Sequence, residues 1–119
     1  MMGLSVGIYD EDSPPRKTKT RLKPTAVQVD VLEAELEDVL ERFYLHDPAR
    51  LSMPMFSRWS PIGRDWRLTA PELEDLAAEL RRVLPSAEPG SDTARMLQKL
   101  LAMAERALAE GLVMCVSPD

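Results

Sequence analysis

Five of the six aromatic residues of this 119-residue chain lie between positions 43 and 66. With so few large rings elsewhere, we expect these side chains to supply much of the hydrophobic core. The stretch from 46 to 68 shows no helical or strand period, and loops of that length in compact domains are usually functional or disordered. Its apolar content is too high for a segment that stays solvated. The sequence therefore predicts a long ordered aromatic loop over 46–68.

The first helix is predicted over 25–45, where apolar residues recur at helical spacing. Thr25 and Gln28 have the spacing of a capping box, which would start this helix. The start is open to a second interpretation, because three valines alternate between positions 27 and 31 and also fit the two-residue period of a strand.

Two further helices follow the loop, and local signals mark their ends. A helix over 69–84 begins at a capping box made by Thr69 and Glu72. A helix over 91–110 begins at a serine or aspartate cap. It ends at Gly111, a residue type suited to the left-handed conformation that terminates helices.

Strands are predicted near both ends of the chain. Residues 4–9 alternate apolar with other side chains, and the β-branched apolar run 112–117 suits a strand inside a sheet. Alternating basic residues over 16–23 are typical of an edge strand, although flanking prolines leave a loop possible. The sequence thus predicts one α+β domain over 1–119. Its three helices would pack on a small two- or three-stranded sheet formed by the N- and C-terminal segments.

The composition favours a soluble intracellular protein. The net charge is −5, and the single cysteine, Cys115, cannot form an internal disulfide. The N-terminal sequence lacks the basic flank and apolar run of a signal peptide, and no apolar run is long enough to span a bilayer. We expect a cytoplasmic protein with no membrane association.

Residue types that carry catalysis are scarce. His46 is the only histidine, so the sequence lacks the spacing of a zinc site or of a nucleophile with its base. The five glycines are too scattered for a nucleotide-binding loop. The acidic run Asp10–Asp12 could hold a metal ion in an enzyme, but it lacks the ligand spacing of a calcium loop, and a solvated turn is preferred. We expect no catalysis, no metal and no cofactor.

Four acidic residues share one side of the predicted first helix: Asp30, Glu33, Glu37 and Glu41. Like charges at this spacing repel one another unless a positive group covers them. One interpretation is that the basic segment 16–23 of the same chain, or solvent, covers this acidic ridge. The other is that a basic partner protein does, since the ridge would steer and orient it.

The loop allows two compatible interpretations. In the first it is a structural wrap, anchored by Trp66 where the chain enters the second helix. In the second, part of it faces a partner as an adaptable apolar patch with an arginine rim, because Met, Trp and Arg are enriched at interfaces. The candidate partner-binding residues are Met53, Met55, Phe56, Arg58, Trp59 and Arg64 in the loop, with Glu33, Glu37 and Glu41 on the acidic ridge.

The leading hypothesis is a small non-catalytic interaction module of the inhibitor, immunity or adaptor type, which binds a protein partner through the loop and the acidic ridge. The alternative is a nucleic-acid- or anion-binding accessory protein that uses 16–23 and the loop arginines. Segment 16–23 has no aromatic residue on which a base could stack, and this disfavours the alternative.

Overall fold

The computed structural model describes residues 4–10, 27–58 and 66–118. In these ranges the elements are β1 (Leu4–Asp10), β2 (Val27–Val31), α1 (Ala34–His46), β3 (Trp66–Leu68), α2 (Ala70–Val83), α3 (Asp92–Glu110) and β4 (Val113–Pro118). Three short 3-10 turns cover Pro48–Ser52, Phe56–Arg58 and Leu84–Ser86. The α+β class with three helices is confirmed, but the sheet of the described residues has four strands rather than two or three.

The sheet is antiparallel, in the strand order β2-β1-β4-β3. Its two central strands come from the two ends of the chain, as predicted, with Val6 opposite Val116 and Ile8 opposite Met114. These four side chains lie on the same face of the sheet, because every second residue of a strand points to the same side. All four are buried. One face of the sheet therefore carries the core.

The predicted helix over 25–45 is wrong at its start. Residues Val27–Val31 form β2, which pairs with β1, and α1 begins only at Ala34. The alternating valines follow the strand period, and a neighbouring strand supplies the hydrogen bonds that a helix would have made internally. Gln28 accepts a hydrogen bond from the Tyr9 hydroxyl at 3.2 Å instead of capping a helix. The N-cap of α1 is Glu33.

A strand also lies inside the predicted loop. Trp66–Leu68 forms β3 and pairs with β4, placing Trp66 opposite Val116 and Leu68 opposite Met114. Leu68 is fully buried and directly precedes the helix cap at Thr69. The predicted edge strand over 16–23 lies outside the described residues.

The ends of α2 and α3 follow the local signals. The Thr69 N–H donates to Glu72 Oε1 at 3.3 Å, and Ser91 Oγ accepts from the Ala94 N–H at 3.1 Å. Gly111 has φ of 70°, in the left-handed region that glycine enters without strain. These helices span Ala70–Val83 and Asp92–Glu110, close to the predicted 69–84 and 91–110.

The core fills the space between the sheet and the helices. Helices α2 and α3 pack on each other, while α3 also contacts β1 and β4 and α1 contacts β1. Fully buried residues of α2 and α3 include Leu73, Leu76, Leu80, Leu97 and Leu100. Among the described helices, none combines the length and the apolar character needed to cross a membrane.

Candidate functional site

The structure places three of the predicted binding residues in the core. Met53 and Phe56 are fully buried, and Met55 is nearly so. The expectation that they form an exposed apolar patch is therefore wrong. A chain with few large side chains gains more free energy by burying them than by leaving them in water.

Phe56 shows how the loop wraps over α1. Its ring centroid lies 5.4 Å from that of Phe43, nearly perpendicular at 78°, and 5.7 Å from that of Tyr44. Edge-to-face pairs of this kind stabilise beyond the area that they bury. The aromatic side chains on either side of the α1 terminus thus form one cluster, as the structural interpretation predicted.

Glu79 on α2 is a residue that the sequence interpretation missed. It is 5% exposed, and its carboxylate accepts hydrogen bonds from the Met55 N–H at 2.7 Å and the Phe56 N–H at 3.1 Å. A buried carboxylate needs such donors to offset its lost hydration. The signal was present in the sequence, because Glu79 falls beside the apolar stripe of α2, three residues after Leu76 and four before Val83.

A second contact from α2 holds the preceding turn. Arg82, one turn after Glu79, donates from Nη2 to the backbone oxygen of Ser52. The loop also has its own hydrogen bonds: the Ser57 N–H donates to the Met53 oxygen at 2.8 Å, and Ser52 Oγ donates to the Ala49 oxygen at 2.9 Å. The 49–57 stretch is therefore fixed both internally and to α2.

The exposed part of this stretch defines the candidate site. Leu51 is 75% exposed, the most exposed large apolar side chain of the described residues, and Pro54 is also exposed. Between the loop and α2 lies an open cleft of about 440 Å³ lined by Pro54, Met55, Asp75, Ala78, Glu79 and Arg82. We call Leu51, Pro54, Asp75, Ala78 and Arg82 the loop surface.

The remaining loop residues divide between the described and undescribed parts of the chain. Trp66 is half-buried in β3 and packs against the core, in agreement with its predicted role as an anchor. Arg58 ends the second 3-10 turn, but its side chain lies outside the described residues, as do Trp59 and Arg64 entirely. The loop surface therefore includes neither Arg58 nor Arg64.

The acidic ridge is neutralised at one end by the same chain. Lys99 on α3 places Nζ 3.0 Å from Asp30 Oδ2 and 3.3 Å from Glu33 Oε1. Burial raises the pKa of Asp30, but the hydrogen bonds from Lys99 and the Val31 N–H outweigh it, so the pKa lies below its ordinary value. The hydrogen bond to Asp30 raises the pKa of Lys99. Asp30 belongs to β2, so it was wrongly placed on the helix.

The other end of the ridge remains on α1. Glu37 and Glu41 follow Glu33 at intervals of four residues and are both half-buried. The Oε2 atom of Glu41 is buried and has no hydrogen-bond partner. This oxygen is therefore removed from water without a hydrogen bond that compensates for the lost hydration.

The lone histidine lies in a separate cleft. His46, Arg42 and Asp47 at the end of α1 face Asp92 and Thr93 at the start of α3 across about 500 Å³. Asp92 is paired with Arg95, and Asp47 Oδ1 accepts from the Ala49 N–H at 2.9 Å. Within the described ranges, no three His, Cys, Asp or Glu side chains are grouped to hold a metal ion.

Cys115 is buried on β4 opposite Gly7, as expected for an unreactive thiol. The Tyr9 ring lies against Gly7, where an added Cβ would be 3.1 Å from the ring. Burial, and then the neighbouring Cys115, raise the pKa of the Tyr9 phenol. The phenol therefore stays protonated at neutral pH, as its hydrogen bond to Gln28 requires.

No protein-family model matches the sequence, and the searches of curated proteins and of solved structures also gave no match.

Proposed function

We propose that this protein is a non-catalytic interaction module of the inhibitor, immunity or adaptor type that acts in the cytoplasm without a cofactor. It binds a protein partner through the loop surface. The observation that carries the proposal is the exposure of Leu51 on a stretch that Glu79 and Arg82 fix to α2.

Fixing the backbone favours binding, because the free protein has already lost the conformational freedom that an interface would otherwise remove. Leu51 directly precedes Ser52, whose oxygen accepts from Arg82, so the exposed leucine is next to an attached residue. Burying one leucine side chain contributes roughly 1.5–3 kcal/mol. An exposed leucine held in this way offers apolar area for the buried part of an interface, which is more apolar than its rim.

Only part of the acidic ridge belongs to the proposed interface, because Lys99 is paired with Asp30 and Glu33. We assign Glu37 and Glu41 to the contact with a basic partner. Both belong to α1, the helix on which Phe56 packs through Phe43 and Tyr44. A charged flank of this kind accelerates association and fixes orientation more than it adds affinity.

The test is an unbiased pulldown from the source cells with three baits: wild type, Leu51→Asp and Ala102→Asp. Ala102 is an exposed apolar residue of α3 that belongs neither to the loop surface nor to the acidic ridge, so it is the matched control. We expect Leu51→Asp to lose one partner that wild type and Ala102→Asp both capture, while all three keep the same melting temperature within about 2 °C.

Two results would contradict the proposal. One is the same set of captured proteins for Leu51→Asp as for wild type. The other is tight binding of the protein to an oligonucleotide with an affinity that falls steeply as salt is added, since that dependence is typical of phosphate contacts.

A further inference from the structure

We propose that Glu79 is a positioning residue for the loop surface: its carboxylate sets the backbone orientation of residues 51–56, so that Leu51 and Pro54 face solvent while Met53 and Phe56 face the core. The role of that orientation in partner binding rests on the proposed function. The role of Glu79 in setting the orientation does not, and it can be tested without a partner.

The geometry at Glu79 is unusual because one buried side chain satisfies two consecutive backbone donors. Both carboxylate oxygens are used: Oε2 accepts from the Met55 N–H at 2.7 Å and Oε1 from the Phe56 N–H at 3.1 Å. Two hydrogen bonds from adjacent peptide groups to one rigid carboxylate fix the peptide planes in angle as well as in distance. These two hydrogen bonds therefore restrain the orientation of residues 55 and 56 relative to α2.

Arg82 attaches the other end of the segment. It lies three residues after Glu79, on the same side of α2, and donates to the oxygen of Ser52. The segment is thus attached to one side of α2 at two points, Ser52 and Met55. Between these attachments the chain turns at Pro54, an exposed residue that lines the cleft.

Apolar packing alone does not set this orientation. Met53 and Phe56 are anchored by burial, which is non-directional and depends only on the area removed from water. An aliphatic residue at position 79 would fill similar space, but it would remove the hydrogen bonds that the carboxylate accepts from the Met55 and Phe56 N–H groups. The carboxylate is therefore the group that makes the orientation specific.

The experiment measures backbone amide exchange by NMR on the complete chain with Glu79→Gln. The amide side chain keeps the shape and one acceptor oxygen, and it replaces the second acceptor with a donor. We expect exchange at the Met55 and Phe56 amides to accelerate about tenfold or more, since a hydrogen bond to a charged group is lost. Exchange at the α3 core, at Leu100 and Ala104, stays unchanged.

The matched control is Glu74→Gln, which makes the same chemical change on the exposed side of α2 and leaves all these rates as in wild type. Exchange in the wild-type protein is a second measurement, and it keeps the proposal testable if Glu79→Gln does not fold. We expect the wild-type Met55 and Phe56 amides to be protected from exchange, because both donate to the Glu79 carboxylate.

Unchanged exchange at Met55 and Phe56 in Glu79→Gln overturns the proposal, as does an equal acceleration at every amide, which would make Glu79 a contributor to global stability only. If Glu79→Gln does not fold, wild-type Met55 and Phe56 amides that exchange as fast as unprotected amides overturn it. The proposed function fails by a different result, namely retained capture by Leu51→Asp, so the two failures are distinguishable.

Discussion

The Nζ atom of Lys99 on α3 lies 3.0 Å from Oδ2 of Asp30 on β2 and so joins the third helix to an edge of the sheet. Because the folded pKa of Asp30 is lowered, its contribution is fully present above the pKa of an unfolded aspartate, about 3.9, and is lost as the pH falls through the folded value. We expect Asp30→Asn to melt below wild type at pH 7. Thermal melts from pH 7 to 2 should show the difference closing in acid; a constant difference would contradict this assignment.

Phe56→Ala removes a fully buried ring that contacts Phe43 and Tyr44. We expect the free energy of unfolding to fall by about 3–5 kcal/mol, the range for aromatic truncations in cores. Urea denaturation followed by circular dichroism measures it. The control, Leu51→Ala, changes stability by about 0.5 kcal/mol or less because Leu51 is exposed. A loss below about 1 kcal/mol for Phe56→Ala would show that the loop does not form the core described above.

Glu79→Ala removes the carboxylate that accepts hydrogen bonds from the Met55 and Phe56 N–H groups. We expect a loss of roughly 2–4 kcal/mol, because a hydrogen bond to a charged group contributes about 1.5–3 kcal/mol. Chemical denaturation of Glu79→Ala beside Glu74→Ala gives the comparison, since Glu74 is exposed on the same helix. Equal midpoints for the two variants would mean that water replaces the carboxylate at no cost.

Gly111→Ala places a side chain at φ of 70°. We expect a loss of about 1 kcal/mol, from the steric cost of the left-handed conformation. Gly111→Asn is the informative comparison, because asparagine tolerates that conformation better than alanine. Thermal melts should rank the proteins as wild type, Gly111→Asn, Gly111→Ala, and a reversed order of the two variants would rule out backbone strain as the cause.

Local signals were sufficient for the helices after the loop. The Thr69–Glu72 pair, the Ser91 cap and Gly111 act within four residues of themselves, so their spacing in the sequence carries the structural information. The start of α1 required information from elsewhere. The alternating valines of Val27–Val31 also fit a strand, but the choice between strand and helix depends on the pairing with β1, which lies elsewhere in the chain.

The candidate site was predictable only as a region. Composition marked the loop as ordered and apolar, but the inward orientation of Met53, Met55 and Phe56 depends on a partner 23 or 24 residues further along the chain, the Glu79 carboxylate. Leu51 was overlooked because a single leucine in a loop carries no pattern. Its exposure follows from the contacts that Arg82 and Glu79 make with its neighbours.

The position of β4 in the sheet has a consequence for the order of folding. This strand, Val113–Pro118, is the last described element of the chain, yet it lies between β1 and β3 and pairs with both. During synthesis on the ribosome, about a hundred residues are therefore added after β1 before β4, the strand that pairs with it at the centre of the sheet, has been made. Helices α2 and α3 are close in sequence and can pair during that interval, whereas closure of the sheet needs a long-range contact, and contacts of that kind form more slowly than local ones.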